Sequence, residues 1–402
     1  MMVSNLYGAL ARGGAERVCA AEVEALAAAG HQVVVVSGSP PPTPSSQGEE
    51  GDGSKKKSPS LPLGKEGVGG GFQFYPPNIA FYTDLSKHNV LFRLLWHAFD
   101  IWNTKSARIF SEILTREKPD VVHTHNLMGL GFGIPSVIHR ANIRHVHTVH
   151  DVQLLDPSGL IRADRTFVPS LHQRAYIAVM RKRIGSPNVV IFPSEFLREL
   201  HAYHGFFPKS RQVVLRNPAA PPSTPRTTIG SPVRFLFVGQ LEPHKGIVQL
   251  LNAWEKKDFF APLDIIGGGT LEKYVKRRAE KLSGVRVLGR LERAEVDAAY
   301  ERIDWIVVPS TVIENAPAVL MEALGRGIPA VASATGGIPE LVRDNENGFL
   351  SRPGDIETLV AALSKAAVCA TYSTMSARAV ASVARYDIAS HVGALLSIFS
   401  RT

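Results

Sequence analysis

Two carboxylates, Glu314 and Glu322, stand with seven residues between them in the stretch Trp305-Ile-Val-Val-Pro-Ser-Thr-Val-Ile-Glu-Asn-Ala-Pro-Ala-Val-Leu-Met-Glu322. The chemistry open to them depends on what lies around them. Trp305 to Val308, closed by Pro309-Ser310, predicts a strand buried on both faces that ends in a loop. Pro317, with fixed φ and no N–H, suits the first position of a helix over 317–326, capped by Asn315 or Ala316 and stopped by a left-handed Gly327. Ile328 to Ser333 predicts another buried strand, and Gly336-Gly337-Ile-Pro-Glu340 a glycine loop entering a further helix. Strand, acidic loop, helix, strand and glycine loop in succession make half of a nucleotide-binding parallel sheet.

The start of a helix offers unpaired amides and about half a positive charge, a seat for a diphosphate. A carboxylate beside that seat is repelled unless it faces hydroxyls, so sugar and ribose hydroxyls are the natural partners of Glu314 and Glu322. That combination points to a nucleotide-sugar. The bland alternative is a pair of glutamates on one solvated helix face.

With its flanking strands and glycine loop in register, this stretch resembles the donor-site signature of the retaining GT-B glycosyltransferases, glycosyltransferase family 4. The resemblance implies that Glu314 meets the transferred sugar with Asn315 beside it, that Glu322 meets the ribose, and that amides near Ala318 and Val319 hold the phosphates. It covers nearly the whole chain and implies an α/β fold of GT-B type, with two doubly wound Rossmann-like domains facing across a cleft.

Composition agrees with two domains: 402 residues, 45% of them apolar, suffice for two filled cores. The net charge of +9 favours polyanions without naming one. No zinc-finger spacing, aromatic RNA-binding motif or basic heptad region accompanies it, so nucleic acid is not the expected partner. No run approaches the ~18–20 apolar residues that cross a bilayer, and the start reads as neither signal peptide nor anchor. A cytoplasmic protein is expected, with peripheral contact on the inner membrane face as the elaboration. Cys19 and Cys369 read as small buried residues.

The elements needed to position such a site follow along the chain. Met1 to Leu6 predicts a short first strand, held weakly at a sheet edge. Gly13-Gly14-Ala-Glu-Arg17 opens a helix running to about Ala29, with backbone free to approach a ligand. Paired glycines in such a turn also serve only to make the turn; by resemblance Gly13 and Gly14 lie between donor and acceptor. Residues 38–71, with Pro40-Pro41-Pro42, Lys55-Lys56-Lys57 and Gly69-Gly70-Gly71, predict a disordered insertion. Apolar residues at helical spacing over 89–116 predict two helices whose aromatics are core, a membrane face being the alternative. Arg181-Lys182-Arg183 reads as a solvated helix end, with anionic lipid as the sharper alternative.

His123-Thr-His125-Asn126 and His145-Val-His147-Thr-Val-His150-Asp151 each end a strand at the carboxyl edge of a sheet, where such folds place ligands. No carboxylate or cysteine completes a compact ligand set by spacing, and the family resembled uses no metal, so neither metal nor cofactor is expected. By resemblance His150 lies beside the reacting sugar, and His125, Asn126 and Asp151 line the acceptor side. In the second half, Gly239-Gln240-Leu-Glu-Pro-His-Lys245-Gly246 resembles the family's diphosphate loop, where Lys245 is present but Gln240 replaces an arginine. A neutral amide gives hydrogen bonds roughly half as strong as a charged donor, so Arg12 or Arg290 is expected to compensate. Gly268 resembles the family's second glycine turn, and Arg290-Leu291 lies where relatives cradle the base.

These readings divide the chain into an acceptor domain (1–217), a hinge (218–230), a nucleotide-sugar domain (231–385) and a terminal helix crossing back (386–402). They imply transfer of a sugar from a UDP- or GDP-sugar to a saccharide or lipid-linked acceptor, with retention, in glycan, glycolipid or exopolysaccharide assembly. The rivals are a non-catalytic nucleotide-binding relative and a sugar-nucleotide epimerase on the same scaffold.

Overall fold

The computed structural model describes residues 1–5, 7, 14–38, 71–74, 85, 88–164, 166–256 and 261–400. Arg12, Gly13 and the interior of the predicted insertion lie outside them. The insertion's two ends, Gly38 and Gly71, belong to paired strands of one sheet.

The first lobe contains β1 (Met2–Ser4), α1 (Gly14–Ala28), β2 (Val35–Gly38), β3 (Gly71–Phe74), α2 (Val90–Ile101), α3 (Thr104–Glu117) and β4 (Val121–Thr124). It continues with α4 (Ile134–Arg140), β5 (Arg144–Thr148), α5 (Leu171–Ile184), β6 (Val189–Phe192), α6 (Glu195–Tyr203) and β7 (Arg211–Val214). The second lobe contains β8 (Phe235–Val238), α7 (Ile247–Lys256), β9 (Leu263–Ile266), α8 (Glu272–Ala279), β10 (Val285–Gly289), α9 (Arg293–Tyr300) and β11 (Trp305–Val308). After these come α10 (Ala318–Gly325), β12 (Ala330–Ser333), β13 (Gly348–Ser351), α11 (Ile356–Ala367), α12 (Tyr372–Val383) and α13 (Ile388–Ser400).

Each lobe is built on a parallel sheet, with strand orders β3-β2-β1-β4-β5-β6-β7 and β10-β9-β8-β11-β12-β13. Strands such as β6, β11 and β12 are continuous apolar or small-residue runs because helices cover both sides, and all their residues are buried. Both orders reverse once, between β1 and β4 and between β8 and β11. A reversal of this kind leaves a crevice at the carboxyl edge of each sheet.

Several expectations need correction. β1 is short but central, held between β2 and β4 by His123 N–H to Met1 O at 2.8 Å and Met2 N–H to Val34 O at 2.8 Å. Pro317 is the cap of α10 and not its first residue, because its ψ of 124° is extended. Gly327 ends the following turn at φ +67°, as expected. The glycine loop leads only into a single 3-10 turn, Ile338–Glu340. On α3 the apolar stripe is core, but on α2 only Trp96 and Ile101 are buried, with Phe92 packed partly against the core: Val90, Leu91, Leu94, Leu95, Phe99 and, just after the helix, Trp102 are each more than half exposed. No helix among the described residues is long and apolar enough to cross a membrane. The last helix, α13, packs Val392 with Met2 and Val35, and Leu395 and Ile398 with Val146 and Ile191, inside the first lobe.

One buried charge stands out in that lobe. Asp100 on α2 accepts a hydrogen bond from Gly129 N–H at 3.0 Å, and burial pushes its carboxyl up to about 7 despite that bond. The folded state thus holds a proton that the unfolded chain releases near pH 4, so stability is withdrawn as pH rises through about 4 to 7. Asp100→Asn keeps an acceptor for Gly129 without the charge. Urea denaturation at pH 5 and pH 8 should show the variant gaining on the wild type by ~2–4 kcal/mol between the two; an equal difference at both pH values would refute this account.

Candidate active site

The loops after β4, β8 and β11 and the start of α1 meet in one cavity of about 360 Å³ between the lobes. From the second lobe, the chain leaves β8 through Gly239 and Gln240 and makes a 3-10 turn, Pro243–Lys245. Gly246 ends that turn at φ +74°, and a Cβ there would lie 1.8 Å from Pro309 O, so only glycine lets this loop close against the loop after β11. The closure brings Lys245 Nζ to 2.6 Å from Glu314 Oε1, which also accepts from Ser310 Oγ at 2.8 Å. Burial pushes the Glu314 carboxyl up, but the Lys245 ammonium and the Ser310 hydroxyl outweigh it and hold it below its ordinary value.

Behind Glu314 the backbone is packed too tightly for side chains. Gly336, at φ +57°, would place a Cβ 1.9 Å from Glu314 O, and Gly337 one 2.1 Å from Asn315 O. The glycine loop is therefore a backing plate for the acidic loop. The next residue but two, Glu340, reaches into the first lobe, accepting from Glu195 N–H at 3.1 Å and Phe196 N–H at 2.7 Å at the start of α6. Arg216 Nη2 pairs with Glu340 at 2.9 Å.

Two helix N-termini meet at the border of the cavity. Pro317 has no side-chain acceptor to offer α10, so the amides at Ala318 and Val319 border the cavity. Gly14 opens α1 next to them, where a Cβ would sit 3.5 Å from Ala318 Cβ. Both dipoles present their positive ends to the same space.

The first lobe also supplies Asn126, His150 and Asp151 to the wall. Burial drives the His150 imidazole down to about 4, so it is neutral near pH 7. Burial pushes the Asp151 carboxyl up to about 6, opposed by the Gln153 N–H and reinforced by Glu16. Asn315 ties the wall together, donating from Nδ2 to His150 O at 3.1 Å and bonding Ser194 Oγ through Oδ1.

Several predicted residues take other places. His125 is buried behind the wall, its Nδ1 2.8 Å from His150 Nε2. Glu322 does not border the cavity; it pairs with Arg293 Nη1 at 3.0 Å and Arg17 Nη1 at 3.5 Å. Gly268 packs against the exposed Arg290, and with Leu291 they lie beyond this cavity on the loops after β9 and β10. Arg290 is thus not placed to replace the charge missing at Gln240, which does border the cavity. Arg17, one turn into α1, does border it and was not singled out by sequence. Its signal was present: three residues after a glycine pair, a side chain returns to the face of the helix start.

Residues 12–220 match the family model described as Glycosyltransferase Family 4, and residues 226–375 that described as Glycosyl transferases group 1. Among curated relatives, an uncharacterized 42.6 kDa protein in the cps region of Klebsiella pneumoniae is 27% identical over 370 residues, 89% of this chain and 91% of its own. Glycogen synthase of Mycobacterium tuberculosis is 27% identical over 373 residues, 90% and 84% of the two chains. Among solved structures, Anabaena Alr3699/HepE in complex with UDP and glucose shares the fold with a TM-score of 0.68 at 16% identity, covering 99% and 98% of the chains.

The packing behind Glu314 is testable without any ligand. Gly336→Ala forces a Cβ against a main-chain oxygen at a left-handed position, so urea denaturation should show a loss of roughly 2–4 kcal/mol. An unchanged midpoint would mean that the acidic loop is not held by this contact.

Proposed function

This chain belongs to glycosyltransferase family 4 and is a GT-B protein, and from that membership we propose that it moves a hexose-type sugar from a UDP- or GDP-sugar to an acceptor hydroxyl with retention. The observation that carries the reading is the Lys245–Glu314 pair, 2.6 Å apart, set beside two helix N-termini. In this scheme Lys245, the amides at Ala318 and Val319, and the start of α1 at Gly14 hold the diphosphate. The bond from the anomeric carbon to the diphosphate oxygen breaks while the acceptor oxygen bonds to the same face, and the acceptor proton passes to the departing diphosphate. Glu314 and the neutral His150 steady the sugar as positive charge develops on it. No protein nucleophile and no metal on the diphosphate is required.

Arg17 supplies the cation that Gln240 does not. Its contact with Glu322 is long at 3.5 Å and solvent-exposed on the arginine side, so a ribose that engages Glu322 releases Arg17 toward the phosphates. Asn126 and Asp151 face the acceptor. Assembly of a glycan, glycolipid or exopolysaccharide is supported by the glycogen synthase and cps-region relatives, and a UDP donor by the HepE complex with UDP and glucose. A lipid-linked acceptor is supported by the exposed apolar face of α2. Flotation with anionic vesicles should recover the wild type, and Leu91→Ser with Leu94→Ser should abolish recovery; equal recovery would remove that support.

Gln240 favours a second reading, nucleotide binding without turnover. Transfer assays over UDP- and GDP-sugars separate the two. Lys245→Ala should lower transfer by roughly 10²–10³-fold, Glu322→Ala should raise the donor KM, and Gln240→Arg should restore most of the loss in Arg17→Ala. Unchanged rates in Lys245→Ala would exclude this cavity, and nucleotide binding by calorimetry with no turnover on any acceptor would favour the binder.

A further inference from the structure

The interior of the first lobe holds a constellation that sugar transfer does not use. His123 and His125, two apart on and just after β4, project to the same face of the sheet. Glu22 of α1 covers that face, and all three residues are buried. Glu22 Oε2 lies 3.5 Å from His125 Nε2 and 3.8 Å from His123 Nδ1. None of these three atoms has a hydrogen-bond partner among the described residues.

The other polar atom of each side chain, in contrast, is engaged. His123 Nε2 meets Thr148 Oγ1 at 2.7 Å, His125 Nδ1 meets His150 Nε2 at 2.8 Å, and Glu22 Oε1 meets His391 Nε2 at 2.8 Å. Outer partners thus orient both rings and the carboxylate, and the remaining lone pairs converge on one point. Separations of 3.5 and 3.8 Å are too long for good hydrogen bonds. They are close to the ~3.3 Å edge of a tetrahedron whose centre-to-ligand bonds are ~2.0–2.1 Å. Two imidazole nitrogens and one carboxylate are a donor set suited to zinc, and hydrogen-bonded outer partners are what ligating histidines usually carry.

We propose that Glu22 Oε2, His123 Nδ1 and His125 Nε2 bind a divalent transition-metal ion, zinc being the best match, which ties α1 to β4. Spacing along the chain excluded a ligand set because the carboxylate comes from a distant helix; in space it is present. None of the three ligands borders the cavity that holds Lys245 and Glu314, so the ion is structural. A metal on His125 Nε2 leaves its ring proton on Nδ1, donated to His150 Nε2, and so fixes which nitrogen of His150 is the acceptor.

The test uses the full chain, stripped with chelator and titrated with zinc chloride alone. Elemental analysis should find one zinc per chain after desalting, and the melting temperature should rise by several degrees. Glu22→Gln and His123→Asn should each weaken zinc binding by more than about 100-fold, and Thr148→Val by about 10-fold. If those variants fold poorly, cobalt chloride added to the stripped wild type decides, by the intense visible bands of a tetrahedral site. Zinc retained equally by folded Glu22→Gln, no stoichiometric zinc in the wild type, or a weak octahedral cobalt spectrum would each overturn the proposal and leave a water-bridged void.

Discussion

The segment from Ser310 to Ala316 belongs to both lobes at once, and the geometry of the cleft depends on that sharing. On one side it pairs with the first lobe: Ala163 N–H donates to Thr311 O at 3.0 Å and Ile313 N–H to Ile161 O at 2.8 Å. On the other it is braced by Gly336 and Gly337, which lie too close for any side chain. Asn217 Nδ2 adds a bond to Ala316 O at 3.0 Å. A short stretch with partners on both flanks cannot move with one lobe alone, so Glu314 keeps its position relative to His150 as well as to Lys245.

That constraint makes the electrostatics workable. Glu16, Asp151 and Glu314 all border a cavity read as the seat of a diphosphate, which would be unfavourable if each carried a free charge. Glu314 is neutralised by Lys245 at 2.6 Å, and Asp151 is pushed toward its neutral form by burial. The starts of α1 and α10 then dominate the local potential, helped by Arg17.

The parts of this arrangement that were legible in the sequence are those in which one strand, loop and helix follow directly. The buried run Trp305–Val308, the left-handed Gly327 and the two parallel sheets fall in that class, because local pattern and turn chemistry determine them. Contacts made by folding were not legible. The periodicity of α2 marks an apolar face but not whether anything covers it. Arg17 and Glu322 meet from different lobes, and Glu22 meets His123 and His125 across a helix–sheet layer, none of which spacing can reveal. The strand β1 looked weak because three residues bury little, yet its place between two neighbours makes it central.

The return of α13 has a consequence for how the chain is made. Val392, Leu395 and Ile398 complete the apolar interior that Met2, Val35 and Val146 begin, and His391 bridges Arg216 O and Glu22. Emerging from the ribosome, the amino-terminal half therefore waits with an uncovered flank until α13 is synthesised. The second half, by contrast, can close its sheet before then, so the lobe translated first is the one finished last.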